Sequence, residues 1–140
     1  MKYGFIGCGN MGGAIARALA KTTDEIMITD RSGKGRALAN ELDCTYTDAF
    51  TIASSCERIF LAVKPQMMKD ALDPLRKYLR ESKPVLITMA AGLTIERIQE
   101  LAGTELPVIR IMPNTPVHLC MLMYLLDLKM KINVQLLLKH

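Results

Sequence analysis

Close to its start the chain carries Gly7-Cys8-Gly9-Asn10-Met11-Gly12, three glycines in a Gly-x-Gly-x-x-Gly array. Such an array can hold a pyrophosphate. Gly7 permits a tight turn, Gly9 presents bare backbone that a phosphate can approach, and Gly12 lets the next helix pack closely on its strand. The start of that helix adds unpaired N–H groups and the positive end of its dipole. Asp30 lies near the spacing at which a carboxylate accepts hydrogen bonds from an adenosine ribose. Arg31 and Ser32 follow it, with Lys34 and Arg36 close behind. Guanidinium and hydroxyl donors there suit a ribose 2′-phosphate through charge-assisted bonds, while Asp30 would repel one. The competing reading is structural: a glycine array alone is weak evidence, and a polar run after a strand is often only a solvated turn.

Three further segments offer groups to the same chemistry. Ala62-Val63-Lys64-Pro65-Gln66 ends an apolar run. Pro65 restricts Lys64 to an extended conformation and starts the next helix. Lys64 then stands beside a cofactor or simply in solvent. Met89-Ala90-Ala91-Gly92 is built of small residues that leave room for a flat ring, and Thr94 is placed as an N-cap before Ile95-Glu96. In Arg110-Ile-Met-Pro-Asn-Thr-Pro116 two prolines fix a loop on which Asn114 offers both a donor and an acceptor, to a ligand or to its own backbone. No general acid stands out, and the histidines His118 and His140 are given no catalytic role, so the catalytic residues stay unassigned. Cys8, Cys44, Cys56 and Cys120 show no C-x-x-C pairing and no histidine cluster, which predicts neither a metal site nor a disulfide framework. A helix dipole beside Cys8 would lower its pKa, although a small residue that fits the turn is the preferred reading.

The elements that must position these groups alternate strand and helix. Strands are predicted at 3–6, 25–29, 45–46, 58–62, 85–88 and 108–111, and helices at 11–21, 34–42, 48–55, 67–78 and 94–101. Alternation of this kind gives an α/β fold of the Rossmann type: a doubly wound, mostly parallel sheet with helices on both faces, joined by right-handed crossovers. Each segment singled out above follows the end of a strand, so all face the crevice beyond the carboxyl ends of the sheet.

Composition sets the outer bounds. A chain of 140 residues predicts one domain. Half of its residues are hydrophobic and 23% charged, an ordinary globular balance. The net charge of +4 is mild and its basic residues are scattered, so nucleic acid is not expected as a partner. The chain enters its first strand at once, without a signal peptide, and its longest apolar stretch, 119–126, is too short to span a bilayer. A reducing, cytoplasmic setting away from the membrane is therefore expected.

The segments Phe5-Ile-Gly-Cys-Gly-Asn-Met-Gly12, Ala62-Val-Lys-Pro-Gln66, Met89-Ala-Ala-Gly92 and Arg110-Ile-Met-Pro-Asn-Thr-Pro116 together resemble pyrroline-5-carboxylate reductases. The resemblance runs through residues 1–117, and the set of four is more specific than the first alone. It implies NAD(P)H-dependent reduction of the cyclic imine 1-pyrroline-5-carboxylate to proline, with a nucleotide-binding domain followed by a helical, oligomerising one. Gly7–Gly12, Asp30–Ser32, Ala62–Pro65, Ala90–Gly92 and Asn114 are then cofactor- or substrate-lining positions. NADP(H) is favoured, because the cations near Asp30 outnumber it, with NAD(H) the alternative. After Val117 the resemblance stops. Residues 118–140 form an atypical apolar tail, read as the product of a truncation or frameshift, and offer a surface for homo-oligomer contacts. Two other readings compete: a nucleotide-binding module without catalysis, and a nucleotide domain of the hydroxy-acid dehydrogenase type.

Overall fold

The computed structural model describes residues 1–23 and 25–111. Asn114, expected to line the cofactor site, and the apolar tail expected at 118–140 therefore lie outside the described residues. Six strands form one parallel sheet: β1 (Tyr3–Ile6), β2 (Ile26–Thr29), β3 (Thr45–Tyr46), β4 (Arg58–Leu61), β5 (Val85–Thr88) and β6 (Val108–Arg110). Their spatial order is β3-β2-β1-β4-β5-β6. The chain thus winds outward from β1 in one direction and then, from β4, in the other. β1 and β4 lie side by side at the reversal, with Phe5 level with Phe60. Ligand crevices of doubly wound sheets form at this point.

The strand sequences explain why both faces are covered. β1, β4 and β5 are buried at every residue, which a sheet with solvent on one side would not allow. Successive side chains alternate between two cores. Phe5, Ile28, Phe60, Ile87 and Ile109 face one, beneath α1 (Asn10–Leu19) and α2 (Lys34–Leu42). Ile6, Ile59, Leu61, Leu86 and Val108 face the other, beneath α3 (Ala49–Ser55), α4 (Met68–Leu72), α5 (Arg76–Ser82) and α6 (Ile95–Ala102). Phe5 and Phe60 stack at the centre of the first core with ring centroids 4.6 Å apart.

Local signals fix the helix ends. The Asp48 carboxylate accepts from the Thr51 N–H at 2.8 Å and starts α3. Thr94 accepts from the Arg97 N–H at 3.0 Å and starts α6, as its sequence predicts. The segment expected as one helix over 67–78 is instead broken. A 3-10 turn, Pro65–Met67, leads into α4, and a second, Asp73–Leu75, separates α4 from α5. Pro74 has no N–H to give and its ring crowds the preceding turn, so the helical ladder is interrupted there. Among the described residues no helix is long and apolar enough to cross a membrane.

Candidate cofactor site

The turn after β1 is shaped by what cannot fit in it. Gly7 has φ +89°, and a Cβ there would stand 2.6 Å from the Ala62 carbonyl oxygen. A Cβ on Gly12 would stand 2.6 Å from that of Ala62. The first turn of α1 is thereby drawn against the end of β4. The Gly7 N–H donates to the Thr29 carbonyl at 2.9 Å, and the Ala62 N–H to the Ile6 carbonyl at 2.8 Å. The ends of β1, β2 and β4 are thus tied together. Gly9 caps α1 in an extended conformation with no side-chain hydrogen bond, and the first helical bond is Gly13 N–H to Gly9 carbonyl at 2.8 Å. The amides of Asn10, Met11 and Gly12 precede it and have no partner within the helix. They form a donor cradle that fits a phosphate.

Beside the cradle lies a cleft of about 500 Å³. It is lined by Gly7, Cys8 and Gly9, by Asp30, Arg31, Ser32 and Lys34, by Ala62, Val63 and Lys64, and by Phe50 and Met67. Asp30 is the best-defined polar group. Its Oδ2 accepts from the Ser32 hydroxyl at 2.9 Å and from the Gly35 N–H at 2.7 Å. Its Oδ1 is buried with no hydrogen-bond partner among the described residues. A buried carboxylate oxygen of this kind requires a donor, and a ribose hydroxyl in the cleft would supply one. The cradle and this oxygen together fit a dinucleotide.

The structure brings most of the predicted residues together, though not all. Gly7, Cys8, Gly9, Asp30, Arg31, Ser32, Ala62, Val63 and Lys64 line the cleft. Asn10, Met11 and Gly12 sit at the start of α1 beside it, and Pro65 opens the turn behind Lys64. Ala90, Ala91 and Gly92 do not line it: Ala90 is packed into the second core, and Ala91 and Gly92 are exposed beyond β5. Arg36 is turned aside, its guanidinium 4.4 Å from the centre of the Tyr46 ring. At Cys8 the lowered pKa weighed as the less favoured reading is not met. Burial pushes its thiol up and the Asp30 carboxylate adds to this, with Arg17 and Lys34 opposing more weakly.

Some contributors were not anticipated. A Cβ on Gly35 would stand 2.8 Å from the Asp30 Cγ, so only glycine lets the carboxylate reach that amide. The signal is a glycine in the first turn of a helix that follows an acidic residue. Thr29, Phe50, Met67, Asp70, Ala71 and Pro74 also line the cleft. They come from separate elements and carry no local motif.

The family described as "NADP oxidoreductase coenzyme F420-dependent" matches residues 2–92. The chain is 31% identical over 120 residues to pyrroline-5-carboxylate reductase of Aquifex aeolicus, covering 84% of this chain and 44% of that protein. Among solved structures, the Coxiella burnetii pyrroline-5-carboxylate reductase superposes with a TM-score of 0.75 at 30% identity, covering 84% of this chain and 46% of the other. The Plasmodium falciparum pyrroline carboxylate reductase with NADP bound superposes with a TM-score of 0.68 at 29% identity, covering 83% and 43%. The chain therefore spans a little under half the length of these relatives. By the match over residues 2–92 it belongs to the family of NADP oxidoreductases described as coenzyme F420-dependent, and within it resembles pyrroline-5-carboxylate reductases.

Proposed function

We propose that residues 1–111 bind NADP(H) and serve the reduction of 1-pyrroline-5-carboxylate to proline. The observation that carries this reading is the pairing of an uncapped helix start at Gly9–Gly12 with the partnerless Asp30 Oδ1 in one cleft. The relatives' names support the substrate, and the NADP-bound relative supports the cofactor. When bound, the reduced nucleotide supplies a hydride to the electrophilic imine carbon.

The chain's own residues bind and orient. The amides of Asn10, Met11 and Gly12 take the pyrophosphate. Asp30 has two tasks. Oδ2 holds Ser32 and the start of α2 in place, and Oδ1 accepts a ribose 3′-hydroxyl, which both nucleotides possess. Arg31 and Lys34, on the same rim, take the 2′-phosphate that only NADP(H) carries. The Ser32 hydroxyl is already donated to Asp30, so the two cations rather than Ser32 carry the preference. Lys64 lines the same cleft, held extended by Pro65 with φ −64° and ψ 149°.

Titration of the full chain with NADPH and NADH tests the reading, paired with an assay on 1-pyrroline-5-carboxylate. Arg31→Ala is expected to weaken NADPH about tenfold or more, the weight of a charge-assisted bond, and to leave NADH nearly unchanged. Equal loss for both nucleotides would remove Arg31 from phosphate recognition. Binding without turnover would favour a nucleotide-binding module over the reductase.

A further inference from the structure

Asp30 meets the cleft from a segment that lies between β2 and α2 and belongs to neither. We propose that Tyr46, on β3, is the positioning residue that aims the Asp30 carboxylate, and that Arg36 braces Tyr46 in that role. The inference rests on the nucleotide-binding reading above and extends it to two residues outside the cleft.

Neither Tyr46 nor Arg36 lines the cleft, so any effect on a ligand must pass through another residue. The Tyr46 hydroxyl donates to the Asp30 backbone carbonyl at 3.0 Å. The Tyr46 backbone is level with Ile28, and the Thr47 N–H donates to the Ile28 carbonyl at 3.0 Å. The phenol is thus anchored to the same strand that delivers Asp30. The Arg36 guanidinium lies over the Tyr46 ring, 4.4 Å from its centre. Arg36 directly follows Gly35, whose N–H donates to Asp30 Oδ2 at 2.7 Å.

These contacts close a circuit. Asp30 is gripped at its carboxylate by the start of α2 and at its carbonyl by Tyr46, and Arg36 joins the two grips. A carboxylate held by one oxygen alone can still swing as its backbone turns. Holding the carbonyl as well removes that swing before a ribose arrives, so less order is lost on binding. The buried Oδ1 is the one carboxylate oxygen that the circuit leaves for the ligand. The stacked ring also occupies Arg36, which leaves a 2′-phosphate to Arg31 and Lys34 on the rim.

The test titrates the full chain, by calorimetry, with ADP and with 3′-deoxy-ADP. Both lack the 2′-phosphate, so their affinity ratio reads the contact of Asp30 with the 3′-hydroxyl. The intact chain is expected to bind ADP about tenfold tighter. Tyr46→Phe keeps the ring beneath Arg36 and removes only the donor. It should cut the ratio to about threefold or less and leave 3′-deoxy-ADP affinity unchanged. Arg36→Ala should cut the ratio about twofold; the charge that it removes acts on both ligands alike and cancels. A ratio that survives Tyr46→Phe would overturn the proposal, as would an equal loss for both ligands, which marks a packing role alone. A ratio untouched by Arg36→Ala would strike Arg36 from it. Equal affinity of the intact chain for the two ligands would overturn the ribose role of Asp30, and the proposal with it. Failure to bind either would overturn the nucleotide-binding reading on which both stand.

Discussion

Two glycine turns follow strands of this sheet, and they differ in why glycine is needed. After β1, Gly7 has φ +89° and a Cβ there would meet the Ala62 carbonyl oxygen at 2.6 Å and the Val63 side chain at 2.8 Å. After β5, Gly92 has φ +81°, nearly the same, but among the described residues a Cβ there would meet nothing within 4 Å. Both backbones sit where an L-residue is strained. Only the first also lacks the space. Left-handed backbone marks a turn; left-handed backbone pressed against a neighbouring strand marks a turn whose position is fixed. The fixed one belongs to the cleft wall and the open one does not.

The same substitution at both sites separates the two causes. Gly7→Ala carries the backbone cost of roughly 1–2 kcal/mol and an overpacking cost of about 1–3 kcal/mol. It is expected to lower the urea midpoint markedly and to abolish nucleotide binding, since the wall of the cradle must shift. Gly92→Ala carries only the backbone cost, roughly 1–2 kcal/mol, and should leave nucleotide affinity unchanged. Urea unfolding of both variants gives the difference, which is the packing contribution alone. Equal destabilisation would mean that the Ala62 carbonyl yields without cost, and the contrast between the turns would vanish.

The first turn was legible in the sequence because its neighbours in space are also its neighbours in a known order: strand, glycine array, helix. The strands were legible for a related reason. Tyr3–Ile6, Arg58–Leu61 and Val85–Thr88 are buried on both faces, so their short apolar runs have no amphipathic helical alternative. The cap Thr94 was legible because a cap is a contact over three residues. What was not legible is whatever the tertiary fold assembles. Small residues at Ala90–Gly92 signal room for a ring, and their place beyond β5, apart from the residues that line this cleft, is set by the fold. Phe50 and Pro74 carry no signal within the helices expected at 48–55 and 67–78, and only the fold brings both to the cleft. Gly35 gains its meaning only once Asp30 folds back onto its amide.

The first turn differs from the second in one more respect: it carries a thiol. Cys8 packs against the first core and also lines the cleft, which sets two influences in opposition. A helix start favours a thiolate, whereas burial disfavours one. Burial is the largest influence and the Asp30 carboxylate reinforces it, so the folded thiol titrates above its ordinary value. Because the unfolded chain then releases this proton first, the neutral thiol's contribution to stability is complete below the ordinary thiol range and is lost as pH rises from there through the raised value of the folded thiol. Iodoacetamide should accordingly modify Cys8 more slowly in the folded chain than in urea at neutral pH, as followed by peptide mapping. The folded rate should climb only when pH passes above the ordinary thiol range. Saturating nucleotide should slow it further, since Cys8 is part of the wall that the nucleotide covers. A Cys8 that reacts faster when folded would mean that the field of α1 outweighs burial, and that the turn fixed by Gly7 tunes its thiol as well as its shape.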